Sequence, residues 1–65
     1  MIIRVNADDF EVDDHTTVAA LLHSLGYPDR GIAVAVDHTV LPRSSWATAL
    51  SDGANIEVVT AVQGG

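Results

Sequence analysis

Residues 17–28 read Thr-Val-Ala-Ala-Leu-Leu-His-Ser-Leu-Gly-Tyr-Pro, and this stretch decides the fold class. Its large apolar residues are spaced i, i+3, i+4 and i+7, so they share one stripe of an α-helix. The stripe consists of Val18, Leu21, Leu22 and Leu25. A helix of under three turns is marginal on its own, so this stripe must dock against other structure to be stable.

Residues typical of helix ends bound the stripe on both sides. Thr16 or Thr17 can act as the N-cap, because a hydroxyl oxygen accepts hydrogen bonds from the unpaired N–H groups of the first turn. Gly26 suits the position just after the helix, where a positive φ is common. Pro28 then prevents continuation. The pattern therefore predicts a helix over residues 17–25.

On either side of this helix the sequence changes to β-type patterns. Short β-branched or alternating segments before it predict a hairpin, with strands at residues 1–5 and 10–13 around a turn at 6–9. After the helix, the predicted strands are residues 32–36, 40–41 and 55–61. One helix between a hairpin and three strands predicts an α+β fold, a mixed sheet of four to five strands with the helix on one face. A β-grasp, with its first and last strands side by side in the middle, would cover the leucine stripe.

The alternation within the strands predicts which side chains face the helix. The expected core consists of Met1, Ile3, Val5, Phe10, Val12, Val18, Leu21, Leu22, Leu25, Leu50, Ile56 and Val58. Ile2 and Val59 should lie on the opposite face, with one of the Ala33/Ala35 pair beside them. Around Pro42, which cannot donate to a strand ladder, we expect irregular structure with one helical turn at 45–49. Trp46 is expected to cap the open end of the sheet.

Composition narrows the possible functions. The 65 residues form one small domain, and Cys is absent, so no disulfide or thiolate metal site stabilises it. Nine acidic residues against three Arg give a formal net charge of -6. That balance argues against nucleic acid or an anionic membrane as partner and favours a basic protein. The apolar segments are shorter than a membrane span and residues 1–4 do not resemble a signal peptide, so a cytoplasmic location is expected.

The sequence evidence for a metal site is weak. Asp9, Glu11 and Asp13 have the 1, 3, 5 spacing of a calcium loop, but that loop requires Gly at its sixth position and Glu at its twelfth. Asp14 and Ala20 occupy those positions here. The interleaved apolar residues instead predict a solvated strand face, and no metal site is expected.

The sequence evidence for a catalytic site is equally weak. The histidines His15, His23 and His38 have no partners at metal-ligand spacing and are expected at the surface. Ser44 and Ser45 are not in a G-x-S-x-G elbow, so nucleophilic catalysis is not indicated. The sequence therefore predicts that this protein is not an enzyme.

The strongest functional signal is the C-terminal Val-Gln-Gly-Gly at residues 62–65, directly after the last predicted strand. We divide the chain into a β-grasp domain, residues 1–61, and a flexible tail, residues 62–65. Extended from residue 60, such an arm reaches about 20 Å, and residues without Cβ can enter a narrow channel. The Gly65 carboxylate suits activation, because its acyl carbon is unhindered and Cα has no stereocentre. The alternative is a frayed chain end without function.

These residues resemble ThiS, the sulfur carrier family of thiamine biosynthesis, which has a ubiquitin-like β-grasp fold. The resemblance covers the whole chain and is most specific in residues 32–36, in Leu-Pro-Arg-Ser-Ser-Trp at 41–46, and in Asp-Gly at 52–53. It continues through Glu-Val-Val-Thr-Ala-Val-Gln-Gly-Gly at 57–65. Two turns differ, because the family commonly has Asn-Gly where this chain has Asn6-Ala7 and Asp37-His38. Ala7 in particular disfavours the positive φ of such turns.

The resemblance implies a carrier role. An adenylyltransferase of the ThiF type would use ATP to convert the Gly65 carboxylate to an acyl-adenylate. A cysteine persulfide would supply the sulfur for a C-terminal thiocarboxylate, and a thiazole synthase of the ThiG type would accept it. The carrier itself would bind no cofactor.

In this reading Val62, Gln63 and Gly64 thread the partner channel, and Ile2 and Val59 form the docking face. The alternatives are the small subunit of molybdopterin synthase, with the same thiocarboxylate, and a ubiquitin-like binding module with an inert tail.

Overall fold

The computed structural model describes residues 1–28 and 30–60. Within these ranges the elements are β1 (Ile2–Val5), β2 (Asp8–Glu11), α1 (Val18–Ser24), β3 (Ile32–Val36), β4 (Thr39–Leu41), a 3₁₀ turn (Arg43–Ser45) and β5 (Asn55–Thr60). The strands form one sheet in the order β2-β1-β5-β3-β4. Only the β1–β5 pair is parallel among them. This is the predicted α+β β-grasp, with the first and last strands adjacent and the helix on one face.

The helix α1 is capped as its sequence predicts. Thr17 is the N-cap, and its Oγ1 accepts a hydrogen bond from the Ala20 N–H at 3.1 Å. At the other end Gly26 has φ 84°, and its N–H donates to the His23 carbonyl while Tyr27 N–H donates to the Leu22 carbonyl. This pair of bonds is a Schellman motif, which only a residue tolerant of positive φ completes without strain. The predicted range 17–25 therefore runs from the N-cap Thr17 to the C-cap Leu25.

The core lies between α1 and the sheet, and among the described residues eight of the eleven buried ones were predicted. Those eight are Ile3, Val5, Val18, Leu21, Leu22, Leu50, Ile56 and Val58, while the predicted Met1, Phe10, Val12 and Leu25 are partly buried against them. Val34, Trp46 and Ala54 were not predicted in the core. Trp46 lies within the core cluster, and its indole Nε1 donates to the Leu41 carbonyl at 3.3 Å. That bond satisfies the polar atom that burial would otherwise leave unpaired.

Two local predictions were wrong. The turn predicted at 6–9 spans only residues 6 and 7, because Asp8 and Asp9 already pair with β1. The helical turn predicted at 45–49 lies earlier, at Arg43–Ser45. Residues 46–50 instead run along the start of α1, where Ala19 N–H donates to the Trp46 carbonyl at 2.9 Å and Leu50 N–H to the Thr16 carbonyl at 2.8 Å. The first bond satisfies an N–H group of the first helical turn and the second satisfies the Thr16 carbonyl just before the helix, and sequence periodicity reveals neither need.

The second strand was predicted at residues 10–13 and lies at Asp8–Glu11, two residues earlier at both ends, and the other strand ends differ by one residue at most. β4 begins at Thr39, one residue before the predicted start, because Thr39 pairs with Val36 across a two-residue loop. β5 is described through Thr60, and the predicted last residue, Ala61, lies outside the described residues. Within residues 1–28 and 30–60 there is no helix with the length and apolar character needed to cross a bilayer.

Both hairpins have tight two-residue loops without glycine. Asn6 and Ala7 have φ of 49° and 74°, and Asp37 and His38 have φ of 51° and 70°. Positive φ at both central residues is the signature of the type I′ turn, whose twist matches that of the flanking strands. The turn geometry expected of Asn-Gly is therefore kept, and Ala7 and His38 carry the strain of an unfavourable backbone region.

We predict that Ala7→Gly raises the free energy of unfolding by about 1 kcal/mol. The change removes a left-handed strain of about 1–2 kcal/mol, and the added freedom of the unfolded chain offsets about 0.4–1 kcal/mol of that. For a domain of this size the melting temperature should rise by about 4–8 °C. Ala33→Gly, the same change in strand β3, should instead lower it. An Ala7→Gly protein that melts at or below the wild-type temperature would contradict the strain assigned to this turn.

Candidate functional site

The predicted reactive residue, Gly65, and the predicted tail residues Val62, Gln63 and Gly64 lie outside the described residues. The structure does describe the strand on which these residues follow. Thr60, the last described residue, ends β5, the middle strand of five, and lies opposite Ile32 at the start of β3. Residues 61–65 therefore follow directly on the middle strand of the sheet, which pairs with β3 as far as Thr60.

A small polar network lies beside this end of β5. The Asn6 side chain accepts a hydrogen bond from Val58 N–H at 2.9 Å and donates one to the Val58 carbonyl at 3.2 Å. Its amide nitrogen is also 3.4 Å from the Tyr27 hydroxyl oxygen. The first hairpin turn and the segment after α1 thus meet at the end of β5, in a network that was not predicted from the sequence. Asn at a turn position was the available signal, but its partner is 52 positions away.

Strand alternation separates the two faces of the sheet as predicted. Ile3, Ile56 and Val58 are buried towards α1, whereas Ile2 and Val59 face outward with 47% and 63% of their surface exposed. Large apolar side chains at such exposure are candidates for partner contact when they adjoin one another.

Ile2 and Val59 do not adjoin. Arg4 lies opposite Asn55 in the parallel β1–β5 pair, so Ile2 aligns with Gly53, whose N–H donates to the Ile2 carbonyl at 2.7 Å. Val59 lies six positions further along the sheet, which is about 20 Å at about 3.3 Å per residue. The predicted docking face is therefore divided between the two ends of the outward surface.

Val59 belongs to an apolar stripe formed by Ala33, Ala35, Val40 and Val59. In the register of the sheet Val59 lies opposite Ala33, and Val40 lies opposite Ala35. Val40 is 72% exposed and was not predicted as a surface residue of interest. Its alternation with the half-buried Leu41 was the signal that could have identified it. The apolar stripe borders the end of β5 from which the tail continues.

A carboxylate and an imidazole border the apolar stripe. Glu57 lies opposite Ala35 on the outward face, and its Oε1 is 3.2 Å from His38 Nδ1. Both side chains are largely exposed, so this contact contributes little to stability. It does place an acidic group directly beside apolar surface.

The region around Ile2 has a different character. A shallow depression of about 290 Å³ is lined there by Arg4, Asp9, Gly53 and Asn55 together with Ile2 and Ile3. Arg4 Nε and Asp9 Oδ1 form an exposed ion pair at 3.1 Å. Charged groups that satisfy one another make this end of the surface polar, unlike the apolar stripe.

The other candidate residues lie at the surface. Asp9, Glu11 and Asp13 are exposed, as predicted, and so are His15, His23 and His38. In residues 1–28 and 30–60 there is no cluster of three or more His, Asp or Glu side chains able to hold a metal ion.

Comparison with known proteins identifies the family. The model of the ThiS family matches residues 3–65. A curated protein named Thiazole synthase from Paramagnetospirillum magneticum (strain ATCC 700264 / AMB-1) is 35% identical over 66 residues, which covers all of this chain. The chain spans 20% of that relative's length.

Two solved structures from Geobacter metallireducens are similar along the whole chain. The crystal structure of its thiamine biosynthesis protein (ThiS) has a TM-score of 0.81 at 29% identity and is covered completely. An NMR solution structure of a thiamine biosynthesis protein from the same organism has a TM-score of 0.76 at 29% identity, with 88% of that chain covered. The β-grasp sheet order, the full-length structural similarity and the family match agree: the chain belongs to the ThiS family.

Proposed function

We propose that this protein is the sulfur carrier of thiamine (thiazole) biosynthesis and that Gly65 is the residue that carries the sulfur. The observation that supports this best is the extent of the family match, which runs from residue 3 through Gly65 and so includes the Gly-Gly end. The structure supports the proposal as well, because β5, the strand that precedes the C-terminal residues, is the middle strand of the sheet. In this proposal the protein is a co-substrate of other enzymes and supplies no acid, base or metal itself.

The proposed chemistry activates a poor electrophile. The Gly65 carboxylate attacks the α-phosphate of ATP on a ThiF-type adenylyltransferase, which releases pyrophosphate and gives an acyl-adenylate. The terminal sulfur of a cysteine persulfide then attacks the acyl carbon, and AMP leaves. A thiol reductant cleaves the resulting acyl disulfide and frees the thiocarboxylate. Thiazole synthase of the ThiG type is the proposed acceptor of this sulfur, and the cytoplasm is the proposed location.

The thiazole synthase partner has independent support. The curated relative named Thiazole synthase aligns with all of this chain over only one fifth of its own length. A segment similar to this protein is therefore joined to a much longer chain in that relative. A carrier and the enzyme that consumes its sulfur would benefit from such a link, because it raises their effective concentration.

The function can be tested by intact mass. The protein is incubated with ATP, a ThiF-type adenylyltransferase, a persulfide donor and a thiol reductant, with the ATP omitted as control. We expect an ATP-dependent gain of about 16 Da, which corresponds to one oxygen replaced by sulfur. An unchanged mass would favour the binding module with an inert tail. A thiocarboxylate that is consumed in the presence of a molybdopterin synthase large subunit and not in the presence of thiazole synthase would favour the small-subunit alternative.

We further propose that the apolar stripe is the docking surface for the adenylyltransferase and thiazole synthase. It lies beside the end of β5, so a partner bound there is close to the start of the tail. Glu57 at its border suits a basic rim on the partner, since complementary charge accelerates association. Of the two residues expected from the sequence to form the docking face, Val59 lies inside the proposed surface and Ile2 lies outside it.

Val59→Asp should weaken the complex with either partner at least tenfold and leave the melting temperature nearly unchanged. The side chain is already 63% exposed, so the substitution places little charge in the core, while a buried carboxylate at an apolar interface is costly. Ile2→Asp is the matched control, because Ile2 has the same outward orientation about 20 Å away. Affinity is measured by titration calorimetry. Unchanged binding of the Val59→Asp protein, or an equal loss in the Ile2→Asp protein, would contradict this surface.

A further inference from the structure

Strand β1 is too short to support the last part of β5 with its backbone. β1 ends at Val5, and the Asn6 N–H makes one more ladder bond, to the Ile56 carbonyl at 3.0 Å. The chain then turns away through Ala7 into β2, while β5 continues to Thr60. Unless another group takes the place of β1, the N–H and carbonyl of Val58 have no hydrogen-bond partner on the β1 side of the sheet.

The Asn6 carboxamide takes the place of β1 beside Val58. Its Oδ1 accepts from Val58 N–H at 2.9 Å and its Nδ2 donates to the Val58 carbonyl at 3.2 Å. A carboxamide turned by 180° would oppose donor to donor and acceptor to acceptor, so only this orientation fits. The side chain thus imitates one further peptide unit of β1, and the neighbouring Tyr27 hydroxyl oxygen, 3.4 Å from Nδ2, adds a second acceptor.

The position of Val58 gives this contact its functional meaning. Val58 precedes Thr60 by two residues and Gly65 by seven (65 − 58). On the β3 side the end of β5 is paired through Ala33 opposite Val59 and Ile32 opposite Thr60. On the β1 side Asn6 supplies the bonds to Val58. The end of β5 is thus held from both sides at the point where the tail begins.

We propose that Asn6 is a positioning residue for sulfur loading: its carboxamide fixes the path on which β5 delivers the tail to the activating partner. This inference rests on the proposed carrier function. Seven residues held extended in the partner's channel would span about 24 Å, so a change of about 10° in the direction of β5 would move the tip by about 4 Å. Reaction rates fall about a hundredfold for misplacements of about 1 Å. Loss of the carboxamide should therefore impair loading even though Asn6 is far from Gly65 in sequence and exposed at the surface.

Asn6→Gly removes the carboxamide and keeps the backbone of the turn, so it tests the contribution of the carboxamide alone. Gly adopts the φ of 49° found at Asn6 without strain and keeps the N–H that bonds to Ile56. We expect ATP-dependent thiocarboxylate formation with at least a tenfold lower kcat and a KM for the carrier within twofold of wild type. The reaction is followed by intact mass at a temperature where a melting curve shows each variant to be fully folded. Asn6→Asp, which can still accept from Val58 N–H but cannot donate to its carbonyl, should be intermediate.

Two controls separate positioning from folding. Ala7→Gly changes the other residue of the same turn and should retain the wild-type kcat. Tyr27→Phe removes only the 3.4 Å contact and should lower kcat less than Asn6→Gly does.

A folded Asn6→Gly protein with the wild-type kcat would overturn the inference while leaving the carrier function intact. A loss of activity that only follows the unfolded fraction would also overturn it. If the wild-type protein itself gains no sulfur, the proposed function fails and this inference fails with it.

Discussion

Deletion of Gly65 should abolish thiocarboxylate formation and leave the free energy of unfolding nearly unchanged. The truncated chain ends on Gly64, and its carboxylate falls about 3.5 Å short of the activating site when the body is docked in the same position. With rates that fall about a hundredfold per about 1 Å of misplacement, the loss should exceed a hundredfold. Glycine has no side chain to bury, so the melting curve should not move. The two measurements are intact mass after the loading reaction and thermal unfolding of the same sample.

Matched tail variants test which tail length and which terminal residue the activating site of the adenylyltransferase requires. One glycine added after Gly65 keeps the composition but makes the carboxylate overshoot, so it should also fail. Gly65→Ala keeps the length and should be partly active at best, because its methyl group crowds the attacked carbonyl. Full activity of the truncated protein would mean that residues 62–65 are a chain end without function, and the carrier proposal would be abandoned.

Leu22→Ala should lower the free energy of unfolding by about 2–5 kcal/mol. Leu22 lies on the stripe of α1 that faces the sheet and is 2% exposed, so truncation leaves a cavity in the core. At about 0.05–0.15 kcal/mol per residue, a domain of this length has about 3–10 kcal/mol in total. This single change would therefore remove a large part of its stability. Urea denaturation followed by circular dichroism measures the difference.

His23→Ala is the control for Leu22→Ala. His23 is the next residue of the same helix and is exposed, so the substitution should change stability by no more than about 0.5 kcal/mol. The fraction of Leu22→Ala protein that remains folded should still load sulfur at the wild-type rate, because the tail is intact. An unfolding midpoint unmoved by Leu22→Ala would contradict the docking of α1 on the sheet.

Local patterns were sufficient for the helix, the strands and the fold class. Thr17 and Gly26 bound α1 because capping depends on residues within one turn of the helix end. Strand β3 was predicted at Ile32–Val36, its observed bounds, because an uninterrupted apolar run needs no distant information to be recognised. The candidate reactive residue, Gly65, was likewise found from the local pattern of the C-terminus and remains a prediction.

Three features depended on contacts between distant segments. Trp46 is in the core because residues 46–50 cap the start of α1, which no periodicity encodes. The apolar stripe includes Val40 because β4 pairs with β3, and it excludes Ile2 because the parallel register of β1 and β5 places Ile2 beside Gly53.

Asn6 shows most clearly what sequence alone determined and what it did not. Its presence before Ala7 was enough to predict a turn, because Asn tolerates positive φ locally. Its role beside the end of β5 depends on Val58, 52 positions later, and exists only once the first and last strands lie side by side. Most of the secondary structure and the predicted reactive residue could be identified from patterns within a few residues. Tertiary structure decided the surface beside the end of β5, because each contact there joins segments that only the sheet brings together.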